Sequence, residues 1–389
     1  MKKIAFLTGT RADFGKLKSL ISISQNVNNF DVHLFVTGMH MNPLYGFTVE
    51  EIEKAGFKNI FKFINHDDTT YMDRTLSKTI DGFSQYISQI KPDLIVVHGD
   101  RVEALAGAIV GSLNNILVAH IEGGEVSGTI DELIRHSVTK MSHIHLAANI
   151  EAKKRLIQLG EFDESIFVLG SPDLDLMDTK SLPSLTKVKE YYDIPFDNFA
   201  IAMFHPITTE YKNIKIYARN FVKALNESDN NYILIYPNND LGSKEILEEI
   251  KKLKSSNRIR IFPSLRFEYF LKLLSESQFI IGNSSAGIRE APYYEVSTVN
   301  IGTRQNNRAV LDTIFNCGYE VPEILKAIKK AKKRKKPIEG IEKDKFHFGK
   351  GRSDQLFLEL LNSEELWNIK HQKQLQEIKH NNEQNKSNC

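Results

Sequence analysis

Phe279-Ile280-Ile281-Gly282-Asn283-Ser284-Ser285-Ala286-Gly287-Ile288-Arg289-Glu290 decides the reading of this 389-residue chain. The apolar run Phe279–Ile281 predicts a buried parallel strand. It ends in small residues and hydroxyls, and a helix is expected over Gly287–Tyr293. Free backbone N–H groups at a helix start attract anions, and small side chains let a phosphate come close. Glu290 falls about one and a half turns into this stretch, where a carboxylate could grip the two hydroxyls of a ribose. The stretch therefore points to a nucleoside diphosphate at a strand–helix junction. It reads equally as an ordinary capped helix, because Ser is a common N-cap.

The same alternation extends outward along the chain. In the first half, strands are expected at Ile4–Leu7, Val32–Val36, Leu94–Val97, Ile116–Ala119, His143–Leu146 and Ile166–Leu169. Helices are expected at Ser19–Ile23, Thr48–Ala55, Tyr71–Ile90, Val102–Leu113 and Ile150–Leu159. Continuous apolar strands between amphipathic helices predict a parallel sheet covered on both faces. Gly170-Ser171-Pro172 and the stretch Asp178–Thr186 interrupt the rhythm and mark a domain boundary. The pattern restarts with strands Ala200–Phe204, Ile233–Tyr236, Ile259–Phe262, Phe279–Ile281 and Thr298–Ile301. Helices near Ile216–Leu225, Lys244–Leu253 and Glu268–Leu274 separate the first four of them. Two doubly wound α/β domains in tandem leave a cleft between the carboxyl ends of their strands, where such sheets bind ligands. Residues 1–175 form the first expected domain and 185–350 the second. Beyond about Lys370 the chain is rich in Lys, Gln, Asn and His and is expected to fray.

Composition narrows the function classes. A net charge of +2 gives no global field for nucleic acid or membrane. The cluster Lys329–Lys336 reads as the solvated face of a helix rather than a nucleic-acid patch. Two cysteines, Cys317 and Cys389, give no disulfide framework and fit a reducing, cytoplasmic setting. No apolar run approaches the ~18 residues of a membrane span. Met1-Lys2-Lys3 precedes only a short apolar run, which reads as a first strand and not a signal peptide.

Polar clusters follow the strands. Thr8-Gly9-Thr10-Arg11-Ala12-Asp13-Phe14-Gly15 sets an Arg between two small-residue turns, which suits a phosphate. The stretch lacks the G-x-G-x-x-G dinucleotide pattern, so an NAD site is not expected. His98-Gly99-Asp100-Arg101 and His120-Ile121-Glu122-Gly123-Gly124-Glu125 follow two neighbouring strands, and Asp131 opens the next helix. Asp100, Glu122 and Asp131 should meet on one rim. Carboxylates crowded in a partly dry cleft raise one another's pKa, which supplies an acid and a base near pH 7. Capping is the bland alternative for any one of them. A metal site is the rival reading, with His98, His120, His136, His143 and His145 as candidates, but none falls in H-E-x-x-H or beside a cysteine pair. In the second half, His205-Pro206, Tyr236-Pro237-Asn238-Asn239-Asp240 and Thr303-Arg304-Gln305 each follow a strand.

With these motifs in hand, the chain resembles the hydrolysing UDP-N-acetylglucosamine 2-epimerases, in particular their bacterial sialic-acid pathway branch. The resemblance rests on GTRADFGK (9–16), VTGMHM (36–41), HGDR (98–101), HIEGGE (120–125), IRHSVTKMSHIHL (134–146), GSPDLD (170–175), MFHP (203–206), YPNND (236–240), RFEYF (266–270), GNSSAGIREAP (282–292) and GTRQ (302–305). It implies the glycosyltransferase-B architecture, two Rossmann-like domains facing a cleft, with a C-terminal helix near 353–370 crossing back to the first. It implies conversion of UDP-N-acetylglucosamine to UDP and N-acetylmannosamine, by elimination to 2-acetamidoglucal and hydration, without NAD or metal cofactor. It implies Asp100, Glu122 and Asp131 as catalytic carboxylates, with His40 counted beside them near the sugar. Arg11, Ser284 and Ser285 would hold the diphosphate, with Arg101 and Arg304 nearby. His205 and Asn238 would approach the nucleotide, and Glu290 the ribose. The implied partner is UDP-N-acetylglucosamine or a related UDP-sugar, and the implied assembly a homodimer or homotetramer. A close sub-branch acts on UDP-N,N'-diacetylbacillosamine. A glycosyltransferase of the same fold and a non-catalytic UDP-sugar binder are the competing classes. Neither needs three carboxylates around sugar C2.

Overall fold

A computed structural model describes residues 1–66, 71–127, 130–253, 257–305, 311–334, 348–349 and 351–377. Two parallel sheets, each covered by helices, carry the chain. The first holds β1 (Lys2–Thr8), β2 (Phe30–Val36), β3 (Ile60–Lys62), β4 (Leu94–His98), β5 (Leu117–Ile121), β6 (Ile144–Ala147) and β7 (Ile166–Val168) in the order β3-β2-β1-β4-β5-β6-β7. The second holds β8 (Ala200–Met203), β9 (Tyr232–Ile235), β10 (Ile259–Phe262), β11 (Phe279–Gly282), β12 (Ser297–Ile301) and β13 (Ile314–Cys317) in the order β10-β9-β8-β11-β12-β13. Their inner strands are continuous apolar runs because both faces are packed.

Strand order reverses between β1 and β4 in the first sheet, and between β8 and β11 in the second. A crevice opens at such a switch point, outside the carboxyl ends of the strands. At the first stand Thr8–Arg11 and His98–Arg101; at the second stand His205 and Asn283–Ser285. Gly282 makes the second junction possible. Its φ is +131°, and a Cβ there would lie 1.8 Å from the Met203 carbonyl oxygen.

Helix α1 (Arg11–Gln25) is longer than expected and starts at Arg11 itself. Thr10 and Asp13 form a reciprocal capping box, which turns the anticipated loop after β1 into the first helical turn. Gly15, inside α1, lets Phe267 of the second sheet's helix layer approach; a Cβ there would come within 2.6 Å of its ring. The expected helix over Gly287–Tyr293 is instead a 3-10 turn at Ser285–Gly287 followed by a separate four-residue helix, Glu290–Tyr293. The Thr298 hydroxyl donates to the Gly287 carbonyl at 2.6 Å, so that carbonyl is engaged by β12 rather than by the next turn. The edge strands β3 and β13 and the helix Leu185–Tyr191 were not anticipated.

The chain returns to the first sheet at its end. Helices Ser353–Asn362 and Glu364–Trp367 bury Phe357, Leu360, Leu361 and Leu366 in the same core as Ile4, Phe6 and Leu17. Asp175 caps the first of them, accepting from the Ser353 and Asp354 backbone N–H groups at 2.9 and 3.0 Å. Residues 371–377, expected to fray, pack along the first domain: the Gln376 N–H donates to the Gly160 carbonyl at 3.0 Å. Residues 378–389 lie outside the described residues, as do Lys335 and Lys336 of the basic cluster. The described lysines of that cluster line the solvated side of the helix Val321–Lys333, whose other side buries Ile324, Ala327, Ile328 and Ala331. Among the described residues no helix is long and apolar enough to cross a membrane.

Candidate active site

Glu122 follows β5 in a left-handed conformation, φ +69°. A non-glycine residue held there costs about 1–3 kcal/mol, and such strain gathers at functional sites. The side chain is buried and accepts from Lys16 Nζ at 2.9 Å. Arg289, from the second domain, reaches the same oxygen at 2.8 Å. His98 Nε2 stands 3.2 Å away, out of hydrogen-bond alignment. Desolvation alone would raise the Glu122 pKa, but Arg289 and Lys16 win and hold it well below the ordinary carboxylate range. The expectation that the clustered carboxylates raise one another is therefore corrected at Glu122: cations outnumber its acidic neighbours at contact distance.

Asp100 and Asp131 also have cation partners. Asp100, in the turn after β4, pairs with Arg135, which is fully buried on helix α5 (Ile130–Met141). Asp131, one turn before Arg135 on that helix, accepts from Arg304 of the second domain at 2.8 Å. The Arg135 charge is sustained by Asp100 first, then Glu125, Glu122 and Asp131. Of the three anticipated carboxylates, Asp100 touches Arg135, Asp131 is held by Arg304, and Glu122 by Lys16 and Arg289. His120 holds the Asp100 turn from beneath. Its ring lies 2.8 Å from the Gly99 carbonyl through Nε2 and 3.2 Å from the Thr139 hydroxyl through Nδ1. Burial pushes its pKa down to about 3, so the ring is neutral; Nε2–H donates to Gly99 and Nδ1 accepts from Thr139.

From the second domain, His205 Nδ1 accepts the Asn238 backbone N–H at 3.0 Å, which leaves the proton of the neutral ring on Nε2. Burial, with Arg304 and Arg101 nearby, keeps this ring well below its usual pKa. Asn283 ties the switch point together, accepting from the His205 N–H at 2.6 Å and donating to the His205 carbonyl at 2.9 Å. Asn238 donates to Asp240, and its Oδ1 is buried without a partner among the described residues. Ser284 accepts from the Ala286 N–H at 3.3 Å, and Ser285 opens the 3-10 turn. The following helix has only four residues, so its dipole adds little and an anion would rely on local N–H and hydroxyl groups. Arg101 donates to Asn239 at 2.6 Å across the cleft. Arg11 crosses at another place, donating to Ser264 at 2.6 Å and pairing with Glu51.

Two anticipated residues, His40 and Glu290, are deeply buried. His40 is fully buried behind the Thr8–Thr10 turn, 3.0 Å from the Thr8 hydroxyl and 2.6 Å from that of Thr48. Burial and Arg11 lower its pKa to about 3, so it acts as a neutral support of that turn. Glu290 is buried beside Lys16, Asp173 and Arg289, and its Oε2 has no hydrogen-bond partner among the described residues. Burial raises its pKa, the opposite of Glu122.

Sequence reasoning left Lys16, Glu125, Arg135, Asp173 and Arg289 without roles. Arg289 binds Glu125 through both carboxylate oxygens at 2.7 Å and lies 3.4 Å from Asp173. Only the four-residue spacing from Asp131 to Arg135 on one helix face was available as a signal. Open space continues along the cleft as a cavity of about 560 Å³ bordered by Tyr45, Arg101, Asn239, Asp240 and Ser243. None of the three carboxylates lines this cavity; Arg101, next in the chain to Asp100, does. Among the described residues no three His, Cys, Asp or Glu side chains group as a metal site.

Paired parallel sheets with acid–base and cationic groups at both switch points define a two-domain α/β enzyme class that takes an anionic ligand between its domains. The model of the UDP-N-acetylglucosamine 2-epimerase family matches residues 23–362. A UDP-N-acetylglucosamine 2-epimerase of Neisseria meningitidis serogroup B is 49% identical over 374 residues, 96% of this chain and 98% of that one. A UDP-N,N'-diacetylbacillosamine 2-epimerase (hydrolyzing) of Legionella pneumophila is 34% identical over 336 residues, 85% of this chain and 89% of that one. The Methanocaldococcus jannaschii UDP-GlcNAc 2-epimerase, in complex with UDP-GlcNAc and UDP, superposes with a TM-score of 0.77 at 23% identity, over 92% of this chain and 99% of that one. The chain belongs to the UDP-N-acetylglucosamine 2-epimerase family.

Proposed function

We propose that this chain is a hydrolysing UDP-N-acetylglucosamine 2-epimerase that releases UDP and N-acetylmannosamine for sialic acid synthesis, as a cytoplasmic homo-oligomer. The observation that carries the reading is that second-domain cations reach the first-domain carboxylates: Arg289 holds Glu122, and Arg304 holds Asp131 while donating to the Asn283 carbonyl at the second switch point. One of Asp100, Glu122 and Asp131 removes the sugar C2 proton, and the C1–O bond to UDP breaks to give 2-acetamidoglucal. Water then adds across the double bond, its hydroxyl to C1 and a proton to C2 on the opposite face. The departing diphosphate carries the negative charge. Arg11, Arg101, Arg304, the neutral His205 and the Ser284–Ser285 turn are the groups assigned to stabilise it. Asn238 and Glu290 are assigned to the nucleoside. The first domain, residues 1–175 with the returning helix, supplies the carboxylates with Arg11 and Arg101; the second, 185–350, supplies the remaining nucleotide contacts.

Support for N-acetylglucosamine as the sugar is the 49% identity to the Neisseria enzyme, against 34% to the Legionella one. The test is UDP release measured with UDP-N-acetylglucosamine and with UDP-N,N'-diacetylbacillosamine in parallel. Higher kcat/KM on the former supports the reading. Turnover confined to the latter moves the enzyme to the other substrate, and UDP release from neither overturns hydrolysis.

A further inference from the structure

Helix α5 carries Asp131 in its first turn and Arg135 in its second, and it ends near the C-terminal segment. That segment does not hang free. His371 Nδ1 lies 2.7 Å from the Asn115 carbonyl, and His143 Nε2 lies 2.9 Å from the His371 carbonyl. Lys373 then turns its ammonium under the end of α5. It donates to the Thr139 carbonyl at 2.7 Å and to the Ser142 carbonyl at 2.5 Å. It also pairs at 2.6 Å with Glu161, a buried carboxylate that holds Lys140 at 2.7 Å and His145 at 2.8 Å. The last carbonyls of a helix have no partners within it, and a cation there also meets the negative end of the helix dipole.

We propose that Lys373 is a positioning residue for the reaction: the strap 371–377 braces the C-terminal end of α5 and so fixes Asp131 and Arg135 at its other end. Two paths lead from the braced turn to the carboxylates. Along the helix, twelve residues act as one rod, so displacement at Thr139 is passed to Asp131 and Arg135. Across the sheet, the Thr139 hydroxyl meets His120, which holds the Gly99 carbonyl next to Asp100. The part-burial of Lys373 fits such a role. Desolvation pulls its pKa down to about 8, a cost that a solvated tail would not carry. A misplacement of ~1 Å at catalytic groups can lower a rate by about a hundredfold, so a brace far from the substrate can affect turnover.

The inference rests on the proposed roles of Asp100 and Asp131. Its test uses the full chain with Lys373→Met, which keeps the stem and removes the charge, and with Lys373→Arg. In Lys373→Met, kcat is expected to fall about tenfold while UDP affinity and KM change less than about twofold, because none of the residues assigned to the nucleotide touches Lys373. Amide hydrogen exchange over 130–142 should speed up by about tenfold, with β8–β12 unchanged, and Lys373→Arg should restore most of both. Should Lys373→Met fail to fold, His371→Ala releases the strap at Asn115 and carries the same expectations. Unchanged kcat in a folded variant overturns the proposal. So does unchanged exchange in α5, or a loss of kcat matched by equal weakening of UDP. A wild-type chain inactive on every UDP-sugar would sink the epimerase reading, while the exchange experiment would still decide the brace.

Discussion

Replacing Glu122 by Gln keeps the side chain's shape and removes its charge. Lys16 and Arg289 then lose the charge on the oxygen they share at 2.9 and 2.8 Å. Stranding one charge of a buried pair costs about 3–5 kcal/mol. Neither cation is stranded here, because Arg289 keeps Glu125 and Asp173, and Lys16 keeps Asp173 at 3.9 Å. The expected loss is that of one charge-assisted hydrogen bond, about 1.5–3 kcal/mol at neutral pH. Its pH dependence is diagnostic. The native-state pKa of Glu122 lies well below 4.5, its ordinary value, so its stabilisation is present above that pH and is lost as pH falls through the depressed value. Urea unfolding should show a constant gap between wild type and Glu122→Gln from about pH 7 to about pH 5, closing in more acid solution. Turnover should drop at least about a hundredfold, the usual worth of an acid–base group, with UDP affinity little changed. A folded variant with wild-type turnover would refute the catalytic role. A stability gap that widens toward acid would show that Glu122 is protonated in the native protein.

Asp100→Asn and Asp131→Asn should each lower kcat by at least about a hundredfold and leave calorimetric UDP binding nearly unchanged; wild-type rates in both would remove these two carboxylates from the mechanism. Ser285→Ala and Glu290→Ala should weaken UDP binding by about ten- to a hundredfold with intact melting, since each loses a charge-assisted hydrogen bond to ligand; unchanged affinity in both would move the nucleotide elsewhere. Activity should persist without added NAD and after exhaustive chelation, because acid–base groups alone can carry elimination and hydration. Loss of activity on chelation, restored by one divalent ion, would recast Asp100, Glu122 and the neighbouring histidines as ligands.

Much of the fold was legible because it rests on local signals. The inner strands are unbroken apolar runs, and the polar motifs after them fall at the switch points. Short edge strands such as Ile60–Lys62, half-exposed or exposed, carry no such run. The helix after Ser285 was misread because its interruption depends on Thr298, eleven residues beyond Gly287 and in another strand. The tail was misread for a related reason: Lys373 has a polar composition signal but a buried destination at Glu161 and the end of α5. The three carboxylates stood out as motifs, whereas their electrostatics did not. Arg289 meets Glu125 from 164 residues away, and no spacing in the chain announces that contact. That pairing places Arg289 over Glu122 too, which reversed the expected direction of its pKa shift.

The central claim is that the C2 proton is exchanged during elimination and that the sugar leaves free of UDP. Proton NMR of UDP-N-acetylglucosamine turned over in heavy water tests both parts together. The account predicts UDP and free N-acetylmannosamine bearing deuterium at C2. An equilibrium mixture of the two UDP-linked epimers, or a released sugar that keeps its original hydrogen at C2, would contradict it.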